Sequence, residues 1–147
     1  GRAGRAALPG TVMIQTLQPD NPHLRGLLKQ DYLTFANKLL KERALTHMPP
    51  FSFFTLVRAD AAKEGPAYTF LQAVKDIAKP FEGITVMGPV AAPMAKRAQR
   101  FRVQLLFCSN NRSMLQQSLK IIVEKIATIK LRHRVRWSID VDPQEMF

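Results

Sequence analysis

The chain has 147 residues, 46% of them apolar, which is enough for one ordinary domain with a real core plus an appendage and argues against a disordered tract. Its 22 Lys and Arg against 11 Asp and Glu give a formal charge of +11, which points to a polyanion such as nucleic acid or an anionic membrane surface, while no apolar run of roughly 18 residues is present to span a bilayer. A single cysteine, Cys108, excludes an intramolecular disulfide, and the scattered His23, His47 and His133 offer no paired spacing for zinc.

The start, Gly1-Arg2-Ala3-Gly4-Arg5, has neither an initiator Met nor the apolar stretch of a secretory signal, so a processed or excised chain is expected, and the single cysteine fits a reducing cytoplasm. It sets two flexible glycines beside two guanidinium groups, the kind of group that stabilises charge on a transferring γ-phosphate. Pro9-Gly10 then makes a turn, Thr11 to Leu17 alternates as a strand would, and Pro19-Asp20-Asn21-Pro22 breaks it. Two helical stretches follow. The second, from about Asp31 to His47, puts Leu33, Ala36, Leu40, Ala44 and Leu45 on one stripe and reads as an amphipathic connecting helix, with His47 a helix-end residue. Pro49-Pro50 cannot continue that helix, which sets a boundary between residues 1–48 and 49–147.

Beyond the prolines, Phe51 to Asp60 reads as a strand, Pro66 to Lys79 as a helix burying Phe70, Leu71 and Val74, and Ile84 to Met87 as a short strand ended by Gly88-Pro89. Arg100 to Ser109 is a longer strand with Phe101, Val103, Leu105 and Phe107 on one face. Asn110 and Asn111 cap a helix whose Leu115, Leu119, Ile122 and Ile126 step by four, three and four. A last strand runs from Arg134 to Val141, with Val135, Trp137, Ile139 and Val141 inward. The fold class is therefore α+β, a ferredoxin-like βαββαβ domain with both helices on one face of an antiparallel sheet.

Alternation across such a sheet puts Arg100, Arg102 and Gln104 of one strand and Arg134 and Arg136 of another on its open face, with Arg58 a candidate beside them. Together with Lys96 and Arg97 these cations can neutralise phosphates; a solvated rim is the blander account, and the charge of the whole chain favours phosphate contact. Phe54 is read as core rather than as a base-stacking platform, since the glycine-aromatic signature of RNA-recognition modules is absent. Arg112 and Gln116 share a face at a helix start, where unpaired N–H groups attract anions, although taken by themselves they are better explained as a solvated helix start. Asp140 and Asp142 are assigned to strand-end turns and to pairing with local arginines, and Cys108 to inert packing.

Several of these features recur in one order in a known family. The Gly1-Arg2-Ala3-Gly4-Arg5 start, Glu42-Arg43, Pro49-Pro50-Phe51, Gly88-Pro89-Val90, the Arg97 to Arg102 stretch, Arg112 with Leu115-Gln116, and Trp137-Ser138-Ile139-Asp140-Val141-Asp142-Pro143 resemble the C-terminal part of the PriA-type replication-restart helicases of bacteria, the primosomal protein N′ family. The resemblance implies an ATP-dependent 3′ to 5′ DNA helicase that binds forked or single-stranded DNA and works with other primosome proteins. It implies that Arg5 is an arginine finger with Arg2 its companion, and that Arg112 and Gln116 help bind the acidic, phenylalanine-ended tail of single-stranded DNA-binding protein. It likens the final domain to a ribosomal S10-type fold and makes residues 1–48 the end of the second helicase lobe with its connecting helix. The family's P-loop, Mg²⁺ motif and zinc-binding cysteines have no counterpart in this sequence, so ATP, Mg²⁺ and Zn²⁺ are expected in the parent and no cofactor or catalysis in the fragment. The alternative from the same fold and charge is a free-standing RNA-binding or ribosome-type domain. An acylphosphatase-type enzyme would need a phosphate-cradling loop near the first strand, and no such loop is found.

Overall fold

The computed structural model describes residues 10–29 and 31–144, so Arg2 and Arg5 lie outside the described residues. The chain divides into two compact units, residues 1–42 and 43–147.

In the first unit α1 spans Pro22–Lys29, and α2 spans Tyr32–Leu45 and runs on into the second. Both begin for local reasons. The Asn21 side chain accepts from the His23 N–H at 2.9 Å, and Pro22, at the first helical position, has no N–H to leave unpaired. Asp31 accepts from the Thr34 N–H at 3.0 Å and from its hydroxyl at 2.7 Å, and that N–H holds the Asp31 carboxyl below the usual carboxylate range. Neither helix buries a residue, and the stripe expected along α2 leaves Leu33 and Leu45 exposed. The strand expected from Thr11 to Leu17 does not form; its alternation is genuine, but among the described residues of its unit no second strand is present to complete a ladder.

The second unit starts at the end of α2. His47 takes a left-handed conformation (φ 49°), the Met48 N–H reaches back to the Arg43 carbonyl at 2.8 Å, and the His47 N–H reaches Ala44 at 3.3 Å, which closes the helix as a Schellman motif. The sheet follows. β1 spans Phe53–Ala61, α3 Glu64–Ala78, β2 Thr85–Arg97, β3 Arg100–Ser109, α4 Arg112–Ile126 and β4 Arg136–Val141, with a short 3₁₀ turn at Lys130–His133 ahead of β4. The sheet order is β2-β3-β1-β4 and each neighbouring pair is antiparallel, an α+β arrangement of loosely ferredoxin-like form.

One sheet face is closed by α3 and α4. Val57, Ala59 and Ala61 of β1 and Val103, Leu105 and Phe107 of β3 meet Phe70, Leu71 and Val74 of α3 and Leu115, Leu119 and Ile122 of α4 in one core. Each of the larger side chains so buried is worth about 1.5–3 kcal/mol. Trp137 lies on this face and packs on Phe70, ring centroids 6.2 Å apart, but β4 is an edge strand and leaves it 37% exposed. The Asn111 side chain accepts from the Met114 N–H at 3.0 Å and caps α4.

Two expectations need correction. β2 does not stop at Gly88-Pro89 but runs on to Arg97, 13 residues in all, with register shifts between Met87 and Val90 and between Ala91 and Lys96. As an edge strand it can hold a proline on its unpaired side, and Gly88 (φ 103°) is needed because a Cβ there would come within 2.9 Å of the Gln104 carbonyl oxygen. Arg134 is not in β4; it ends the 3₁₀ turn.

Candidate nucleic-acid interface and an adjoining groove

The face away from α3 and α4 is set by the register. Because side chains alternate, it receives Phe54, Leu56, Arg58 and Asp60 from β1, Arg100, Arg102, Gln104, Leu106 and Cys108 from β3, and Arg136, Ser138 and Asp140 from β4. Arg97, the register partner of Arg100, joins them from β2. Lys96 does not. It pairs with Phe101 and its ammonium lies 5.2 Å from that ring, on the helix-covered side, because the second shift in β2 inverts the alternation that the sequence suggests.

This face has two halves. Phe54 and Leu56 are 6% and 1% exposed although they lie outside the main core, so one half is apolar and covered. The other is charged. Arg100 is held by the Asp60 side chain and donates to the Asp60 carbonyl at 3.0 Å, and Arg58 pairs with Asp140 at 2.7 Å. Arg97, Arg102 and Arg136 make no ion pair among the described residues. Asp60 is opposite Arg102 on one side and Arg136 on the other, so these two arginines stand two strand spacings apart, about 10 Å, along one row across the sheet. Arg58, Asp60, Arg102, Arg136 and Ser138 line one shallow concavity; Met94 from β2 and Gln144 from beyond β4 border the next, with Arg58, Arg97 and Arg102. Arg134 is exposed beside the start of β4.

Such a surface can hold phosphates without reading bases. Its arginines are donors fixed to rigid strands, and it carries no exposed aromatic side chain among the described residues, so stacking has no platform there. Cys108 lies on the same face, and burial pushes its thiol up to about 11, which keeps it protonated and inert.

Arg112 and Gln116 are found elsewhere, along α4. Gln116, Leu119, Lys120, Val123, Glu124, Ile139 and Val141 line a groove of about 640 Å³ between α4 and the edge strand β4, and Arg112 stands one turn before Gln116 at its end. Its guanidinium pairs with Asp142 at 2.6 Å and sits 5.8 Å from the Phe53 ring. Sequence reasoning placed Arg112 and Gln116 on one side of a helix but missed Asp60, Lys120 and the apolar walls from β4. It also expected Asp140 and Asp142 to pair with local arginines, whereas their partners are 82 and 30 residues away. Among the described residues no helix is long and apolar enough to cross a membrane, and no group of three or more His, Cys, Asp or Glu could hold a metal.

Comparison with known proteins gives these surfaces a context. Residues 44–144 match the model of the primosomal protein N C-terminal domain. The chain is 37% identical to the replication restart protein PriA of Haemophilus influenzae, over 99% of this chain and 20% of that protein. It is 31% identical to the PriA of Synechocystis, over 97% of this chain and 17% of that protein. The chain thus spans about a fifth of the length of the curated relatives it matches. Among solved structures, a dimeric ferredoxin-like protein from an uncultured marine organism is similar at 13% identity and a TM-score of 0.43, over 64% of this chain and 97% of that one.

Proposed function

The chain belongs to the family of the primosomal protein N C-terminal domain, and from that premise we propose that it is the C-terminal part of an ATP-dependent 3′ to 5′ DNA helicase for replication restart. In this reading the second unit is an S10-like module that binds forked or single-stranded DNA and docks single-stranded DNA-binding protein, alongside other primosome proteins. ATP hydrolysis, Mg²⁺ and Zn²⁺ belong to segments of the parent outside this chain, with Arg5 and Arg2 completing the ATP site, in the cytoplasm.

The observation that carries the DNA-binding part is the row of Arg102 and Arg136, with Arg97 at its rim, on a face whose acids are already engaged by other arginines. Phosphates that replace water there release condensed counterions, which makes binding favourable at low salt and independent of sequence. Arg100 and Arg58, fixed by Asp60 and Asp140, stiffen the row, while Arg134 extends the positive field from its border. The groove beside α4 supports the docking part: apolar walls suit a phenylalanine-ended tail, and Arg112 and Gln116 suit its carboxylates.

Titration of labelled forked DNA, single-stranded DNA and RNA by fluorescence anisotropy tests the first part. Replacing Arg97, Arg102 and Arg136 by Ala together is expected to weaken DNA binding at every sequence and to lower the slope of log affinity against log salt by about 2 to 3. An unchanged slope removes the face from the reading, and a preference for RNA over DNA of the same sequence supports the free-standing RNA-binding alternative.

A further inference from the structure

The guanidinium that the docking reading requires is already occupied. Asp142 follows β4 directly, and its N–H donates to the Phe54 carbonyl at 3.0 Å, which fixes the residue in a left-handed conformation (φ 53°). From there its carboxylate meets Arg112 at 2.6 Å, one residue beyond Val141, the last β4 wall of the groove, while it also borders the concavity of Arg58, Arg97 and Arg102. Asp142 is thus a carboxylate of the chain itself, presented rigidly at the place where the carboxylate of an acidic peptide would arrive. Both partners remain about half exposed, 58% and 46%, so an incoming carboxylate can reach the guanidinium without unfolding anything.

We propose that Asp142 is an internal competitor that sets the affinity and selectivity of the α4–β4 groove for acidic peptides. This rests on the docking reading above. A peptide with one carboxylate exchanges one ion pair for another at Arg112 and gains little; a peptide with an acidic run and an apolar end displaces Asp142, fills the apolar walls and draws on Lys120 as well. Asp142 therefore acts as a filter against weakly acidic segments. Neutralising it leaves Arg112 over the Phe53 ring and available.

Asp142→Asn is the suitable variant, because Asn adopts the left-handed conformation as readily as Asp does while losing the charge. Calorimetric titration of the 147-residue chain with a synthetic peptide carrying an aspartate run and a terminal phenylalanine compares wild type, Asp142→Asn, Arg112→Ala and the double variant. Asp142→Asn is expected to bind about two- to fivefold tighter, the range that an exposed ion pair supplies, and the gain is expected to vanish in the Arg112→Ala background. If wild type binds and Asp142→Asn binds equally or more weakly, the inference is overturned and the docking reading survives. A gain that persists without Arg112 also overturns it, since that gain reports only the change in net charge. No binding by either wild type or Asp142→Asn removes the docking reading and this inference together.

Discussion

The two faces of the sheet use the same backbone to opposite ends. Toward α3 and α4 the central positions of β1 and β3 are buried and apolar, while one residue away along the same strands the side chains are Arg58, Asp60, Arg100 and Arg102. The difference teaches that alternation assigns a residue to a face but does not decide its exposure. Leu56 and Phe54 lie on the charged side and are nonetheless buried, whereas Trp137 lies on the core side and is not.

The sharpest way to break this comparison is to damage each face in turn and compare the costs. Phe107→Ala, in the centre of the core, is expected to destabilise the domain by about 3–5 kcal/mol in denaturant unfolding. A much smaller loss would mean that α3 and α4 close over the gap. Leu56→Ala is expected to cost about 2–3 kcal/mol, toward the lower end for a buried leucine, since Leu56 lies outside the main core cluster. A cost near zero would show the charged face to be bare. The smallest effect has the opposite sign. Thr55 is fully buried toward the helices and its hydroxyl has no hydrogen-bond partner among the described residues, so Thr55→Val is expected to raise stability by about 1 kcal/mol in the same assay.

Sequence carried the fold where the signal was local and periodic. β3 could be read at its true limits, Arg100–Ser109, because four apolar residues alternate without interruption, and the start of α4 was marked by Asn111. It failed where distant residues decide. Gly88-Pro89 signals a turn on its own; it stays inside β2 because β3 lies alongside and the Lys75 ammonium donates to the Gly88 carbonyl at 2.6 Å from α3. The basic face was legible for Arg100, Arg102 and Arg136, which sit in uninterrupted strands, and not for Lys96, which lies beyond a register shift. The pairing of Arg112 with Asp142 joins a helix start to a strand end, and no local pattern announces it.

That same irregular strand has a further consequence at the edge of the sheet. Pro89 and Pro93 offer no N–H groups, and the two register shifts break the remaining ones into short runs. The strand of a neighbouring molecule approaching this rim finds no continuous ladder to extend. A sheet edge of this kind is thereby protected from edge-to-edge aggregation by its own strand.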